Sequence, residues 1–130
     1  MPDRILIWMK LLTHNMLSCH IKGVQNGFPF KIDPVKVQEV DADYDPDFLR
    51  HIFPRLEWKA LCEAAATMGA PGLPEEVTEE MLQDDEFLRS FHHALLELVL
   101  EEGALICPET GRQFPVHKGV PNLLLNEDEN

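Results

Sequence analysis

Basic side chains are scarce in this sequence. Eleven lysines and arginines stand against twenty-three aspartates and glutamates, a formal net charge of −12. Phosphate binding draws its affinity from counterions released at Lys and Arg, so no direct nucleic-acid binding by the chain alone is expected. Cysteine is scarcer still. Cys19, Cys62 and Cys107 are odd in number and too few for the disulfide framework of a small secreted protein, which predicts a reducing compartment, cytoplasm and nucleus. Long apolar runs are missing as well: Ile5 to Leu12 is broken by Lys10 and falls well short of the ~20 residues that cross a bilayer. No membrane association is expected. Asp3 and Arg4 leave the first residues without net charge, and no small-residue cleavage site comes after them, so a signal peptide is not expected either. Finally, G-x-G-x-x-G, H-E-x-x-H and G-x-S-x-G do not occur. The sequence nominates no catalytic residue and no cofactor-binding residue.

What remains is the composition of one folded domain. The chain has 130 residues, of which 45% are hydrophobic and 26% charged, and a chain of this size buries roughly two-thirds of its unfolded surface. Residues 1–8 differ in composition from the rest of the chain, and Met9-Lys10-Leu11-Leu12 would itself serve as a start, so 1–8 is read as an extension of unknown standing.

From Phe28 to Asp47 three prolines and an alternation at Val35, Val37 and Val40 predict loop and short strand. Asp45 followed by Pro46 marks a helix start, because an acidic side chain caps and proline is tolerated at the first helical position. Trp58, Leu61, Cys62, Ala65 and Met68 recur at helical spacing and predict a helix over Leu56–Met68, closed by Gly69. Thr78 is placed to cap a short helix holding Met81 and Leu82. Asp84 or Asp85 caps the longest helix, whose buried stripe is Phe87, Leu88, Phe91, Leu95 and Leu98. After Leu98 the pattern turns extended, and Pro108-Glu109-Thr110-Gly111 supplies a tight turn before Arg112 to Val116, which predicts a hairpin. Asn126 to Asn130 is an acidic polar tail.

The turn itself is the residue pattern with most chemistry in it. Cys107-Pro108-Glu109-Thr110-Gly111 has the outline of a zinc-ribbon knuckle, but Thr110 occupies its second cysteine position. A structural zinc site uses four Cys or His ligands. Cys19 and Cys107 are half of one, with His14 or His20 as conceivable additions. Cys62 reads as core. His92 and His93 are adjacent on a helix, point about 100° apart and cannot grip one metal, so both read as partly buried, hydrogen-bonded side chains. The carboxylates from Glu75 to Glu86 read as solvated residues and helix caps.

Four segments, in order, carry a family resemblance: Met9 to Cys19 (MKLLTHNMLSC); Asp45 to Leu49 (DPDFL) with Leu56-Glu57-Trp58; Phe87 to Glu97 (FLRSFHHALLE); and Glu102-Gly103 through Cys107-Pro108-Glu109-Thr110-Gly111 to Gly119-Val120-Pro121-Asn122-Leu123-Leu124-Leu125. Together they resemble the multifunctional methyltransferase activator subunit, the tRNA methyltransferase 112 family, from Met9 to about Leu125. The resemblance implies an α+β fold: a zinc-ribbon-like small antiparallel sheet module built from both chain ends, 9–44 and 98–125, with a helical insertion at 45–97 and the tail at 126–130. It implies a non-catalytic subunit that stabilises and activates S-adenosylmethionine-dependent methyltransferases acting on tRNA, small-subunit rRNA and a translation termination factor. The partners are the methyltransferase catalytic subunits, in heterodimers. The cofactor, S-adenosylmethionine, is bound by the partner and none by this chain. Some members hold zinc through four cysteines. Cys19 and Cys107 match two of those positions, while Val24 and Thr110 stand at the others, so no metal is expected.

Family members join their enzymes partly by strand addition, which uses main-chain hydrogen bonds for affinity. The surface expected to meet the partner is therefore Leu12, Asn15 and Met16 from the N-terminal end with Phe114, Val116, Gly119, Val120, Pro121, Leu123, Leu124 and Leu125 from the C-terminal end. The alternative is a free-standing zinc-ribbon-type RNA-binding module, for which Arg112 and Lys118 are a small basic patch.

Overall fold

Strands from both sides of a helical middle meet in one antiparallel sheet of order β1-β2-β3-β4. The computed structural model describes residues 9–19, 21–123 and 125. The extension 1–8, His20, Leu124 and the tail 126–130 lie outside the described residues. The strands are β1 (Lys31–Glu39), β2 (Leu98–Ile106), β3 (Gln113–His117) and β4 (Val120–Pro121). A short helix, α1 (Leu11–Asn15), precedes β1. Three more, α2 (Pro46–Ile52), α3 (Trp58–Thr67) and α4 (Asp85–His92), lie between β1 and β2. This is the α+β arrangement the sequence implies.

Local chemistry sets the helix ends where expected. The Phe48 N–H donates to Asp45 Oδ1 at 3.1 Å with Pro46 opening α2, and the Glu86 N–H donates to Asp84 Oδ1 at 3.2 Å at the start of α4. The Met81 N–H donates to Thr78 Oγ1 at 3.3 Å and starts a single 3₁₀ turn, Met81–Gln83. Gly69, at φ +99°, leaves α3 in the left-handed region that glycine enters without a Cβ penalty.

Three local expectations need correction. First, β1 is nine residues long and runs through Pro34. The register shifts between Pro34 and Lys36, so a bulge absorbs the missing proline N–H and turns Val35 out to solvent. Second, α4 does not run on to Leu98 as an α-helix. His93–Glu97 widens into a π turn, which hands the chain to β2. Third, Cys62 is half-buried rather than core. Its thiol donates to the Pro74 carbonyl at 3.5 Å, and it lines a groove with Lys59, Glu63, Glu75 and Glu76.

One hydrophobic cluster joins the sheet to the helices. It contains Leu11 of α1, Leu49 of α2, Leu61 of α3, Leu88 and Phe91 of α4, Leu100 and Leu105 of β2, and Phe114 of β3. Over the helical part, Trp58 sets its ring edge-on to Phe91 and Phe53, with centroids 5.3 and 5.4 Å away, and its indole N–H donates to the Pro74 carbonyl at 2.8 Å. The two-ended sheet module and the helical insertion thus share a single core, which fixes the position of each relative to the other.

Candidate partner-binding surface

The two ends of the chain are stitched together by backbone hydrogen bonds. The Met9 N–H donates to the Gly119 carbonyl at 2.7 Å, and the Met9 carbonyl accepts from Leu100 at 2.8 Å. The Gly119 N–H donates to the Glu101 carbonyl at 3.0 Å, and Lys10 bridges to Val99. Gly119 follows Lys118, and both have positive φ, +80° and +52°. This tight turn delivers β4 to the end of the sheet.

Along β3 the residues alternate, so Phe114 and Val116 face inward while Gln113, Pro115 and His117 face out. Phe114 and Val116 are 1% and 2% exposed, and the Phe114 ring packs edge-on against Phe30 at 5.7 Å. They fill this chain's own core and offer no side chain to a partner. Gly119 is buried, with its N–H and carbonyl both used within the chain. Asn15 is buried too. Its amide N–H donates to the Glu57 carbonyl at 3.0 Å and its Oδ1 accepts from the Glu57 N–H at 2.9 Å, an internal strut instead of a contact surface. Met16 and Val120 point outward, 56% and 43% exposed. Leu12, Leu123 and Leu125 are half-buried, packed against the core with part of each left open, and Pro121 is half-buried as well. Leu124 lies outside the described residues.

The two edges of the sheet differ. The β1 edge carries Lys31, Pro34, Lys36 and the bulge, all features that discourage pairing with another strand. The β4 edge is two residues long and leads into the apolar Leu123 and Leu125.

The knuckle brings Cys19 and Cys107 together. They are 6% and 1% exposed, and the Cys19 thiol hydrogen-bonds Cys107. The Gly111 N–H donates to the Cys107 carbonyl at 3.0 Å and the Arg112 N–H to Thr110 Oγ1 at 3.2 Å, which closes the turn. Burial pushes the Cys107 thiol up, but bonds from the Thr110 hydroxyl and amide, from Cys19 and from the Glu109 amide outweigh it and hold the thiol below its usual range. The donor set does not fit zinc. Thr110 presents a hydroxyl, Val24 an alkyl group packed on the core, and the buried His14 has its Nε2 held 2.7 Å from the Phe30 carbonyl. Among the described residues no group of three or more His, Cys, Asp or Glu is arranged to hold a metal ion.

Other sequence candidates are structural. His92 Nε2 bonds the Ala42 carbonyl at 3.0 Å, and His93 Nδ1 bonds Glu97 Oε1 at 3.0 Å. Glu97 also accepts from the Ala42 N–H. Burial pushes its carboxyl up, but these bonds and the two histidines outweigh burial and hold it below the usual carboxylate range. The π turn that seats Glu97 here had no signal in the sequence. Cys62 has its thiol pushed up by burial and by Glu75 and Glu63, the opposite of an activated nucleophile.

The family model described as Trm112p-like protein matches residues 10–119. The chain belongs to the Trm112p-like family. Among relatives, it is 59% identical over 123 residues to the multifunctional methyltransferase subunit TRM112 homolog A of Arabidopsis thaliana, covering 93% of this chain and 99% of that one. It is 46% identical over 122 residues to the multifunctional methyltransferase subunit TRM112-like protein of Mus musculus, covering 93% and 98%. Among solved structures, it resembles a chain of the E. cuniculi Mtq2–Trm112 complex responsible for methylation of the eRF1 translation termination factor. The TM-score is 0.59 at 16% identity, over 89% of this chain and 95% of that one, a likeness of fold. The Trm112p-like match takes in α1, the knuckle and the sheet as far as the turn before β4.

Proposed function

We propose that this chain is the non-catalytic subunit that stabilises and activates S-adenosylmethionine-dependent methyltransferases, in heterodimers that modify tRNA, small-subunit rRNA and a translation termination factor in cytoplasm and nucleus. S-adenosylmethionine and nucleic acid are the business of the catalytic partner. The observation that carries the reading is the contrast between the two sheet edges: β1 is blunted by proline, bulge and lysines, while β4 carries exposed Val120 and leads into part-open Leu123 and Leu125. An apolar edge of this kind suits strand addition by a second protein. Family membership supports the class of that protein. The net charge of −12 argues against the RNA-binding alternative, and the Arg112 guanidinium is stacked 4.6 Å over the Phe114 ring.

Co-expression is the test. Methyltransferase catalytic subunits from the same cell should be poorly soluble alone and soluble and active with this chain, since exposed apolar patches of several hundred Å² favour aggregation. Catalytic subunits that are equally soluble and active in its absence would refute activation. Binding of S-adenosylmethionine to this chain by itself would refute the division of labour.

A further inference from the structure

We propose that Cys19 and Cys107 form a redox modification site, converted by a small peroxide into an intrachain disulfide that ties the N-terminal loop to the knuckle. The two cysteines lie in one buried cluster, with the Cys19 thiol hydrogen-bonded to Cys107, although roughly 90 residues separate them in sequence. Both backbones are held. The Cys19 N–H donates to the Gly27 carbonyl at 2.8 Å, and the Cys107 N–H to the Arg112 carbonyl at 2.9 Å. The loops that carry them are cross-tied by the Glu109 carboxylate, which accepts the Gln25 N–H at 3.3 Å and the Asn26 N–H at 3.2 Å. No large search is needed to bring one sulfur to the other. Burial of both shuts out bulky disulfides and leaves hydrogen peroxide as the class of oxidant small enough to enter. Cys62 sits on α3 with its thiol on Pro74 and is no competitor.

The chemistry balances in two steps. One thiol attacks hydrogen peroxide; the O–O bond breaks, that sulfur is oxidised to a sulfenic acid, and water leaves. The neighbouring thiol then attacks the sulfenic sulfur, the S–O bond breaks with loss of a second water, and the S–S bond forms. In sum two thiols are oxidised and one peroxide is reduced to two waters. The product closes a loop of most of the chain, which constrains the unfolded state strongly. The two-ended module that presents β4 becomes harder to open.

The test uses the full chain carrying Cys62→Ser, treated with graded hydrogen peroxide, followed by alkylation, peptide mapping and thermal melting. The expected product is a Cys19–Cys107 linked peptide lighter by two hydrogens. The melting temperature should rise by on the order of 10 °C, and dithiothreitol should restore the starting value. Adding Cys19→Ser or Cys107→Ser should abolish both the link and the rise. Sulfinic or sulfonic acids without a link would overturn the proposal. So would a link between two chains, or thiols that stay unreacted in the folded protein at peroxide levels that oxidise the same peptides unfolded. If a serine variant does not fold, the map of the Cys62→Ser chain decides alone.

Discussion

Asn15 and Glu57 hold each other by two hydrogen bonds, the Asn15 amide donating to the Glu57 carbonyl at 3.0 Å and accepting the Glu57 N–H at 2.9 Å. The pair pins α1 to the residue that caps α3, and so the N-terminal end of the sheet module to the helical insertion. Asn15→Ala leaves the Glu57 N–H without its partner at a part-buried site, while the Glu57 carbonyl keeps the Leu61 N–H at 3.0 Å; the loss costs on the order of 1–3 kcal/mol. Urea denaturation should show this loss as a lower midpoint with unchanged slope. A neutral result would mean that water takes over the strut.

Outward and inward residues of the C-terminal strands should separate cleanly. Val120→Asp and Met16→Asp, at exposed positions, should weaken co-purification with a catalytic partner by tenfold or more while the melting temperature stays within a few degrees. Phe114→Ala, at a fully buried ring, should cost about 3–5 kcal/mol of folding stability. Binding loss by Phe114→Ala without loss of stability would contradict its place in the core.

Burial holds the His14 imidazole below its ordinary value of 6.5, against the opposing effect of its bond to the Phe30 carbonyl. The unfolded chain therefore binds the proton more readily than the folded one. This contribution to stability is complete above pH 6.5 and is lost as the pH falls through 6.5 toward the folded-state value. Melting curves between about pH 7 and pH 5 should decline more steeply for the native chain than for His14→Gln, whose amide does not titrate. Equal slopes would show that His14 is reached by solvent.

Gly103 pairs with Pro34 at the bulge, and a Cβ there would collide with the Asp33 carbonyl and lie 3.2 Å from the Pro34 Cα. Backbone on the other strand cannot step aside as a flexible side chain would. Gly103→Ala should destabilise by several kcal/mol, on the order of 2–4, and raise amide exchange along β1 first. Exchange that rises uniformly would place the strain elsewhere.

Two thiols, a hydroxyl and an alkyl group make a poor zinc site. Elemental analysis should find well under one equivalent of zinc, and a chelator should leave the melting temperature unchanged, since a structural zinc site supplies folding energy directly. Stoichiometric zinc would point to His20 as the added ligand.

What the sequence by itself determined was local. The caps at Asp45 and Asp84, the end of α3 at Gly69 and the turn after Cys107 depend on residues within four positions of one another, and they stand where composition and spacing put them. The extended run along 112–116 was legible too, yet an extended run does not say which face is inside. Only the packing of β3 on Phe30 decided that Phe114 and Val116 are core, and left Val120 outside. The Asn15 strut, the joining of Met9 to Gly119 and the meeting of Cys19 with Cys107 span from about forty to over a hundred positions. No local preference encodes such contacts. They exist because burying one shared cluster offsets the entropy of closing those loops, and that cluster forms only when the whole chain is folded.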